Sequence, residues 1–317
     1  PELIKYTSPA DAEFLHYGKC KCIDAVPATP DGKPTPALIT RAALKAAKIP
    51  LLVVDAGARV KPSIPCVSFG IEAGNNIVKE DAMNETSVRI AFDHGMTLGR
   101  QLARMSDLVV VGESIPGGTT TALAVLSALG IDAKFKVSSS MPENPHDLKN
   151  KVVESAIKRS GARIAKSPFE AIAKFGDPMM PSVAGIASGV IDEGGRVMLA
   201  GGTQMSAVVA IMARIGSPLG ARLCIGTTSY VLNDGSADLT GLVREAGHVP
   251  ILSCNLHLDE SSKPGLQAFA RGFVKEGVGA GGAAIAAMLK PRGRITAKKL
   301  LTAIEEEYES SIESRLH

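Results

Sequence analysis

The chain contains no tryptophan and only four tyrosines. With so few rings to stack bases on, a single-stranded nucleic-acid binder is disfavoured. Charge points the same way. Lys and Arg total 35 against 32 Asp and Glu, a formal net charge of +3, and the basic residues are scattered instead of forming a patch. No apolar run is long enough to span a bilayer, and the first seventeen residues lack the apolar stretch of an export signal. Cysteine is sparse and irregular: Cys20, Cys22, Cys66, Cys224 and Cys254 form an odd set without framework spacing. Cys20-Lys21-Cys22 has no second ligand pair, so neither a disulfide scaffold nor a zinc site is expected. His94, His146, His248 and His257 show no paired metal-binding spacing, and no G-x-S-x-G elbow is present. What these absences leave is a cytoplasmic globular protein with no metal, no membrane and no nucleic-acid partner. At 317 residues it is long enough for one large domain and a small one.

What is present is a series of short apolar runs that end in glycine or small polar residues. They are Leu51 to Gly57, Leu108 to Glu113, Val197 to Gly202, Arg222 to Thr228 and Val249 to Ser253. Continuous apolarity is what a strand buried on both faces requires, as in a parallel sheet. Segments of helical spacing lie between them: Pro36 to Lys48, Ser87 to Met105, Thr119 to Leu129, Asp147 to Arg159, Val183 to Asp192 and Gln204 to Ile215. In the second of these, Val88, Ile90, Ala91, Leu98 and Leu102 are spaced to share a face. This alternation predicts an α/β fold with a doubly wound, mostly parallel, Rossmann-like sheet. Residues 36–282 are expected to form that body. Residues 1–35 and 283–317, the latter with helices at Ala283 to Leu289 and Thr296 to Ile312, are expected to form a small, partly helical lobe.

Ligands of open parallel sheets bind outside the carboxyl ends of the strands. The strongest candidate there is Gly112-Glu113-Ser-Ile-Pro-Gly117-Gly118-Thr119-Thr120-Thr121, between a buried strand and an Ala/Leu-rich helix. Glycine admits close approach of a ligand, and a helix start offers unpaired N–H groups, so the segment can cradle a phosphate although it is no P-loop. A second Gly-rich stretch, Lys275-Glu276-Gly277-Val-Gly279-Ala-Gly281-Gly282, formally satisfies GxGxxG but comes too late in the chain for a dinucleotide site, because no strand follows it. Glu276 is a carboxylate between apolar residues and glycines, either a helix cap or a partly buried general base. Lys149 and Lys151, on one amphipathic helix, could each reach a phosphate or face solvent.

Three of these segments together resemble the nicotinate-nucleotide–dimethylbenzimidazole phosphoribosyltransferases, in a divergent, archaeal-type form. Gly112 to Ala122 is similar to the family's G-E-M-G-I-G-N-T-T-x-A loop. Asp177-Pro178-Met179-Met180, followed by Val197 to Thr203, is similar to its G-G-x-E-I and V-x-x-D-G-F-I segment. Phe273 to Ala280 resembles its R-L-G-E-G-T-G-A motif. The order holds from about residue 105 to 290. The departures are Pro116-Gly117-Gly118 for I-G-N, Ala200 for an Asp, Pro178 and Met179 near the family's Glu, and Ser138-Ser-Ser140-Met141 in place of a G-x-G-T-G stretch.

The resemblance implies transfer of 5-phosphoribosyl from nicotinate mononucleotide to a benzimidazole-type base, giving the α-ribotide of a cobamide lower ligand. It implies Glu276 as general base, with Gly117, Gly118, Thr119, Thr120 and Lys151 holding the 5′-phosphate. Gly201, Gly202, Thr203, Thr227, Thr228 and Gly277 would line the pocket, and Glu113 would order the loop or hold a ribose hydroxyl. No cofactor is implied. A homodimer is the expectation, for which an apolar face at Ala283 to Leu289 could serve. The alternatives are transfer to adenine or another purine, and a nucleotide-binding protein without catalysis.

Overall fold

The computed structural model describes residues 3–24, 28, 33–161, 164–290 and 295–315. Two short parallel strands come first, β1 (Val54–Asp55) and β2 (Val67–Ser68), in a sheet of their own. The main sheet consists of β3 (Val109–Gly112), β4 (Val197–Ala200), β5 (Leu223–Thr228) and β6 (Ile251–Cys254), all parallel and in that order across the sheet. The helices of the first half are α1 (Thr7–Tyr17), α2 (Ala37–Ala47), α3 (Glu85–Ala103), α4 (Gly118–Ala128), α5 (His146–Ser160), α6 (Pro168–Phe175) and α7 (Met179–Asp192). Those of the second half are α8 (Gln204–Arg214), α9 (Ser229–Leu232), α10 (Leu239–Ala246), α11 (Pro264–Ala270), α12 (Ala280–Leu289) and α13 (Ala297–Ser311). The α/β class with a parallel sheet is therefore as the alternation predicts.

Strand side chains alternate between faces, and here both faces are apolar. Val109, Val197, Leu199, Leu223 and Ile225 belong to one core, shared with α3 to α10. Met198 and Cys254, with half-buried Val110 and Cys224 packed beside them, belong to a second core shared with α1, α2, α11, α12 and α13. The strand order never reverses, so right-handed crossovers stack their helices on one face. The other face is covered by helices from the chain's two ends, with α12 lying against all four strands and α2 against α12. The expected division after residue 282 falls inside α12.

Several details differ from the sequence reading. Leu51 to Gly57 does not join the main sheet: only Val54–Asp55 is a strand, and it pairs with β2. Leu51 and Leu52 are 40% and 48% exposed, and the Asp55 carboxylate turns the chain by accepting the N–H groups of Gly57 and Ala58. Ile90 is 40% exposed, because the buried stripe of α3 is Val88, Ala91, Gly95 and Gly99. The α12 face expected to be free for a partner subunit is covered, since Ala283, Ala284, Ile285 and Ala287 are buried. Helix α6 is absent from the expected elements although its signals are local. Ser167 caps it by accepting the Glu170 N–H, Pro168 stands at its first turn, and Glu170 accepts the Lys166 N–H in return.

Helices α3 and α7 approach closely enough that small residues are obligatory at their contact. A Cβ at Gly185 would lie 2.2 Å from the Phe92 carbonyl oxygen, and one at Gly189 2.2 Å from that of Met96. Backbone is the obstacle, so a side chain can enter only if the helices separate. Gly185→Ala is expected to destabilise the protein by about 1–3 kcal/mol, measured as a lower urea midpoint with an unchanged slope. An unaltered midpoint would show that the contact relaxes freely.

Candidate active site

The carboxyl ends of β3, β4 and β5 and the start of α12 bring most of the expected residues together. Glu113 follows β3 and is 8% exposed. Its carbonyl accepts the Val278 N–H at 2.9 Å, which joins the β3 loop to the distant Gly-rich segment. After it the chain turns at Gly117, whose φ of +80° is the left-handed conformation that glycine adopts without strain. Helix α4 then begins at Gly118 without a side-chain cap. Thr119, in its first turn, accepts a hydrogen bond from the Lys149 amine at 2.8 Å, and Lys149 also donates to the Ser138 carbonyl. Lys149 is 6% exposed, and burial together with nearby Lys275 pushes its pKa down to about 8.

Lys151 is not brought to this group. It is exposed on α5, two residues and about 200° around the helix from Lys149, whereas Lys149, Asn150, Val153 and Ala156 form the buried face. Thr120 is half-buried in the first turn of α4, next to Thr119.

At the neighbouring strand ends the hydroxyls are tied into the protein's own network. Gly201 donates its N–H to the Gly226 carbonyl at 3.0 Å, and Gly202 is buried beside it. Thr203 is fully buried and its hydroxyl accepts the Ser138 N–H at 3.0 Å. Thr228 donates its hydroxyl to the Lys275 carbonyl at 2.6 Å, and Thr227 donates to Glu276 at 3.3 Å.

Glu276 lies at the N-terminus of α12. Its carboxylate accepts the N–H of Thr228 at 2.9 Å, of Gly281 at 3.1 and 3.2 Å and of Gly277 at 3.2 Å. It therefore caps the start of α12 and ties it to the end of β5. The glycines around it serve packing: a Cβ at Gly281 would meet the Thr227 carbonyl carbon at 2.1 Å, and one at Gly282 would meet Ala200 Cβ at 2.3 Å. They let α12 sit directly on the strand ends, and Ala200 is small for the same reason.

Burial pushes the Glu276 carboxyl up to about 7, overriding the backbone N–H groups that favour its anion. Burial likewise lifts Glu113 to about 7, with Asp177 and Glu276 adding to the shift and the Gln204 amide opposing it. Asp177 is 4% exposed and raised to about 6 by burial, although Thr121 Oγ1 donates to it at 2.5 Å and Met180 N–H at 3.2 Å. The sequence presents Asp177 only as part of a motif; its Thr121 partner is what ties it to the α4 loop.

Two residues of the N-terminal third, Asp11 and Thr40, escaped the sequence reading. Asp11 of α1 accepts from Ser114 Oγ at 2.6 Å and Thr35 Oγ1 at 2.7 Å, and Thr40 of α2 donates to the Val278 carbonyl at 2.8 Å. Among the described residues, no group of three or more His, Cys, Asp or Glu is placed to hold a metal ion, and no helix is long and apolar enough to cross a membrane.

A family model described as "Phosphoribosyltransferase" matches residues 38–266, a span that includes the α4 loop, Lys149 and the ends of β4 and β5. The chain belongs to this phosphoribosyltransferase family. A UPF0284 protein of Archaeoglobus fulgidus is 49% identical over 309 residues, covering 98% of this chain and 86% of the relative. A UPF0284 protein of Sulfurisphaera tokodaii is 47% identical over 309 residues, with the same coverage of 98% and 86%. Among solved structures, a nicotinate-nucleotide-dimethylbenzimidazole phosphoribosyltransferase from Thermus thermophilus superposes with a TM-score of 0.62 at 19% identity. The match covers 97% of this chain and 76% of that one. At that identity the likeness establishes a shared fold. The phosphoribosyltransferase family reading of the sequence motifs is thus supported by an independent match over most of the chain.

The raised carboxyls have a consequence for stability. Glu113 and Glu276 keep their protons in the folded state up to about pH 7, while an unfolded glutamate loses its proton near 4.5. The unfolded chain therefore binds fewer protons across that window, and stability falls as pH rises from about 4.5 to 7, then levels. Each group contributes up to about 1.4 kcal/mol per pH unit. The melting temperature is expected to fall between pH 5 and 7.5, and less steeply in Glu113→Gln. Equal slopes in the two proteins would remove Glu113 from the buried set.

Proposed function

We propose that the protein transfers the 5-phosphoribosyl group of nicotinate mononucleotide to a benzimidazole-type base, forming an α-ribotide for a cobamide lower ligand. The observation that carries this reading is Glu276: a carboxylate with a pKa of about 7, held by backbone donors at the end of β5 and the start of α12. That is the proton affinity a general base needs at neutral pH. The family match supports phosphoribosyl chemistry, and the acceptor class is taken from the sequence motifs and from the name of a fold neighbour, a nicotinate-nucleotide-dimethylbenzimidazole phosphoribosyltransferase.

In this reading the uncapped start of α4, with Gly117, Gly118, Thr119 and Thr120, takes the 5′-phosphate, because a helix N-terminus offers free N–H groups and partial positive charge. Lys149, already bonded to Thr119, supplies the cation that the resemblance had given to Lys151. Gly277 lines the ribose pocket, the buried Gly201, Gly202, Thr203, Thr227 and Thr228 back its wall, and Glu113 holds the loop or a ribose hydroxyl.

One ring nitrogen of the acceptor attacks C1′ with its lone pair. The bond from C1′ to the pyridinium nitrogen breaks, and its electron pair stays on that nitrogen, which leaves as the neutral ring nitrogen of nicotinate. The proton on the acceptor's other nitrogen passes to Glu276. Because the pyridinium is already a good leaving group, no acid is required on that side. Holding the two rings on opposite faces of the sugar gives inversion at C1′. A cytoplasmic homodimer, with residues 36–282 as the catalytic body and the terminal segments packed on it, belongs to the same proposal.

The test is a product assay with nicotinate mononucleotide and 5,6-dimethylbenzimidazole or adenine in parallel. Base-dependent nicotinate release with an α-ribotide mass is expected with the benzimidazole. Turnover with adenine alone would move the acceptor class to purines, and ligand-induced stabilisation without product would make the protein a nucleotide binder. Glu276→Gln is expected to keep substrate binding and lower kcat by at least about 10²-fold. Lys149→Met is expected to raise KM for nicotinate mononucleotide about 10- to 100-fold, whereas Lys151→Met leaves it unchanged. The reverse pattern would return the phosphate to Lys151.

A further inference from the structure

Behind the phosphate loop lies a second set of charges. Lys275 precedes Glu276 at the position where the R-L-G-E-G-T-G-A motif has its first glycine. Its side chain is 3% exposed, and its Nζ lies 2.7 Å from Oδ2 of Asp234, itself 6% exposed. The Lys275 amine also donates to the Met141 carbonyl at 2.9 Å. Asp234 accepts further bonds from Asn144 Nδ2 at 3.0 Å, Ser138 Oγ at 3.2 Å and the Ser236 N–H at 3.1 Å and hydroxyl at 2.8 Å. Ser138 closes the circuit, since its carbonyl accepts Lys149 Nζ. A continuous chain of contacts therefore runs from Thr119 through Lys149, Ser138 and Asp234 to Lys275, the neighbour of Glu276.

We propose that Asp234 and Lys275 are positioning residues of the phosphate site, a buried ion pair that places Lys149 against the phosphate loop through Ser138 and acts on its charge from both sides. The inference rests on the reading of Lys149 and α4 as the place of the 5′-phosphate. Two buried ammonium groups, Lys149 and Lys275, share the single carboxylate of Asp234, so the cluster carries one positive charge beyond neutrality beside an uncapped helix start.

Lys149 has no carboxylate of its own. Helix α4 carries no charged residue, and residues 201–204 contribute only glycine, threonine and glutamine. His146, one turn before Lys149 on α5, is engaged by the Ser236 carbonyl at 2.6 Å. The charges that act on Lys149 are thus Lys275, which disfavours its protonated form, and Asp234, which favours it. A buried pair kept for packing alone can be replaced by apolar residues with little loss. A pair that tunes Lys149 cannot, because removing either member moves Lys149 in the opposite direction to removing the other.

The experiment measures binding of ribose 5-phosphate by calorimetry from pH 6 to 9.5 in wild type, Asp234→Asn, Lys275→Met, the double variant and Lys149→Met. The second ionisation of the phosphate and the ionisation of Glu113 and Glu276 near 7 are common to all five proteins. Wild-type affinity is expected to fall above about pH 8, where Lys149 loses its proton, and Lys149→Met is expected to lose that fall together with most of its binding. Asp234→Asn should move the midpoint of the fall down by about one pH unit and Lys275→Met up by a similar amount. The double variant should return close to wild type. Should Asp234→Asn fail to fold, the Lys275→Met shift and the double variant decide the matter. Unshifted midpoints with only lower melting temperatures, in proteins that still need Lys149 for binding, overturn the ion pair and leave the phosphate site standing. Binding indifferent to Lys149→Met overturns both.

Discussion

Helix α12 touches the ends of the central strands backbone to backbone, with glycine at residues 281 and 282 against Thr227 and Ala200. That contact determines where Glu276 sits. With side chains there, α12 would stand off the sheet, and the carboxylate could not reach the Thr228 N–H of β5 and the Gly281 N–H of its own helix together. The same approach withdraws much of the carboxylate from water, leaving it half-buried. Backbone donors and the helix dipole favour the anion by an amount usually near 0.3–1 kcal/mol per contribution, and burial opposes them. The outcome, a carboxyl near 7, shows burial prevailing. A carboxyl poised near neutrality thus follows from how tightly one helix can be seated.

The site is divided by charge. Glu113, Asp177 and Glu276 cluster on one side, each lifted by burial to between about 6 and 7. Lys149 and Lys275 stand on the other, with Asp234 between them held down to about 2 by Lys275 and its hydroxyl and amide donors, against the effect of burial. The proposed reaction would use both regions, with a proton removed from the acceptor base at one and the phosphate of the ribosyl donor held at the other. The hydroxyls of Thr203 and Thr228, bonded within the protein, fix the walls between the two regions.

The terminal segments are part of this construction. Helices α1 and α2 close the second face of the sheet and also hold the two loops of the site, Asp11 through Ser114 and Thr40 through the Val278 carbonyl. These partners are separated by 103 and 238 residues. No local pattern reports a pairing at that distance, and the motif resemblance is weakest in this third of the chain.

The sequence by itself determined what depends on near neighbours. Unbroken Val-Val-Val and Val-Met-Leu-Ala runs demanded strands covered on both faces, and the 3.6-residue spacing demanded α2 to α5, α7, α8 and α13. Glu276 stood out as a carboxylate among apolar residues and glycines, readable either as a helix cap or as a general base. Tertiary structure decided the rest. Lys149 and Lys151 are equivalent as letters, and only the rotation of α5 about its axis buries one and exposes the other. The GxGxxG glycines read equally well as ligand-facing or helix-facing until α12 is laid on the strands. The elevated carboxyls and the Asp234–Lys275 pair exist only once distant segments exclude water together, because burial is a property of the packed chain and of no residue in it.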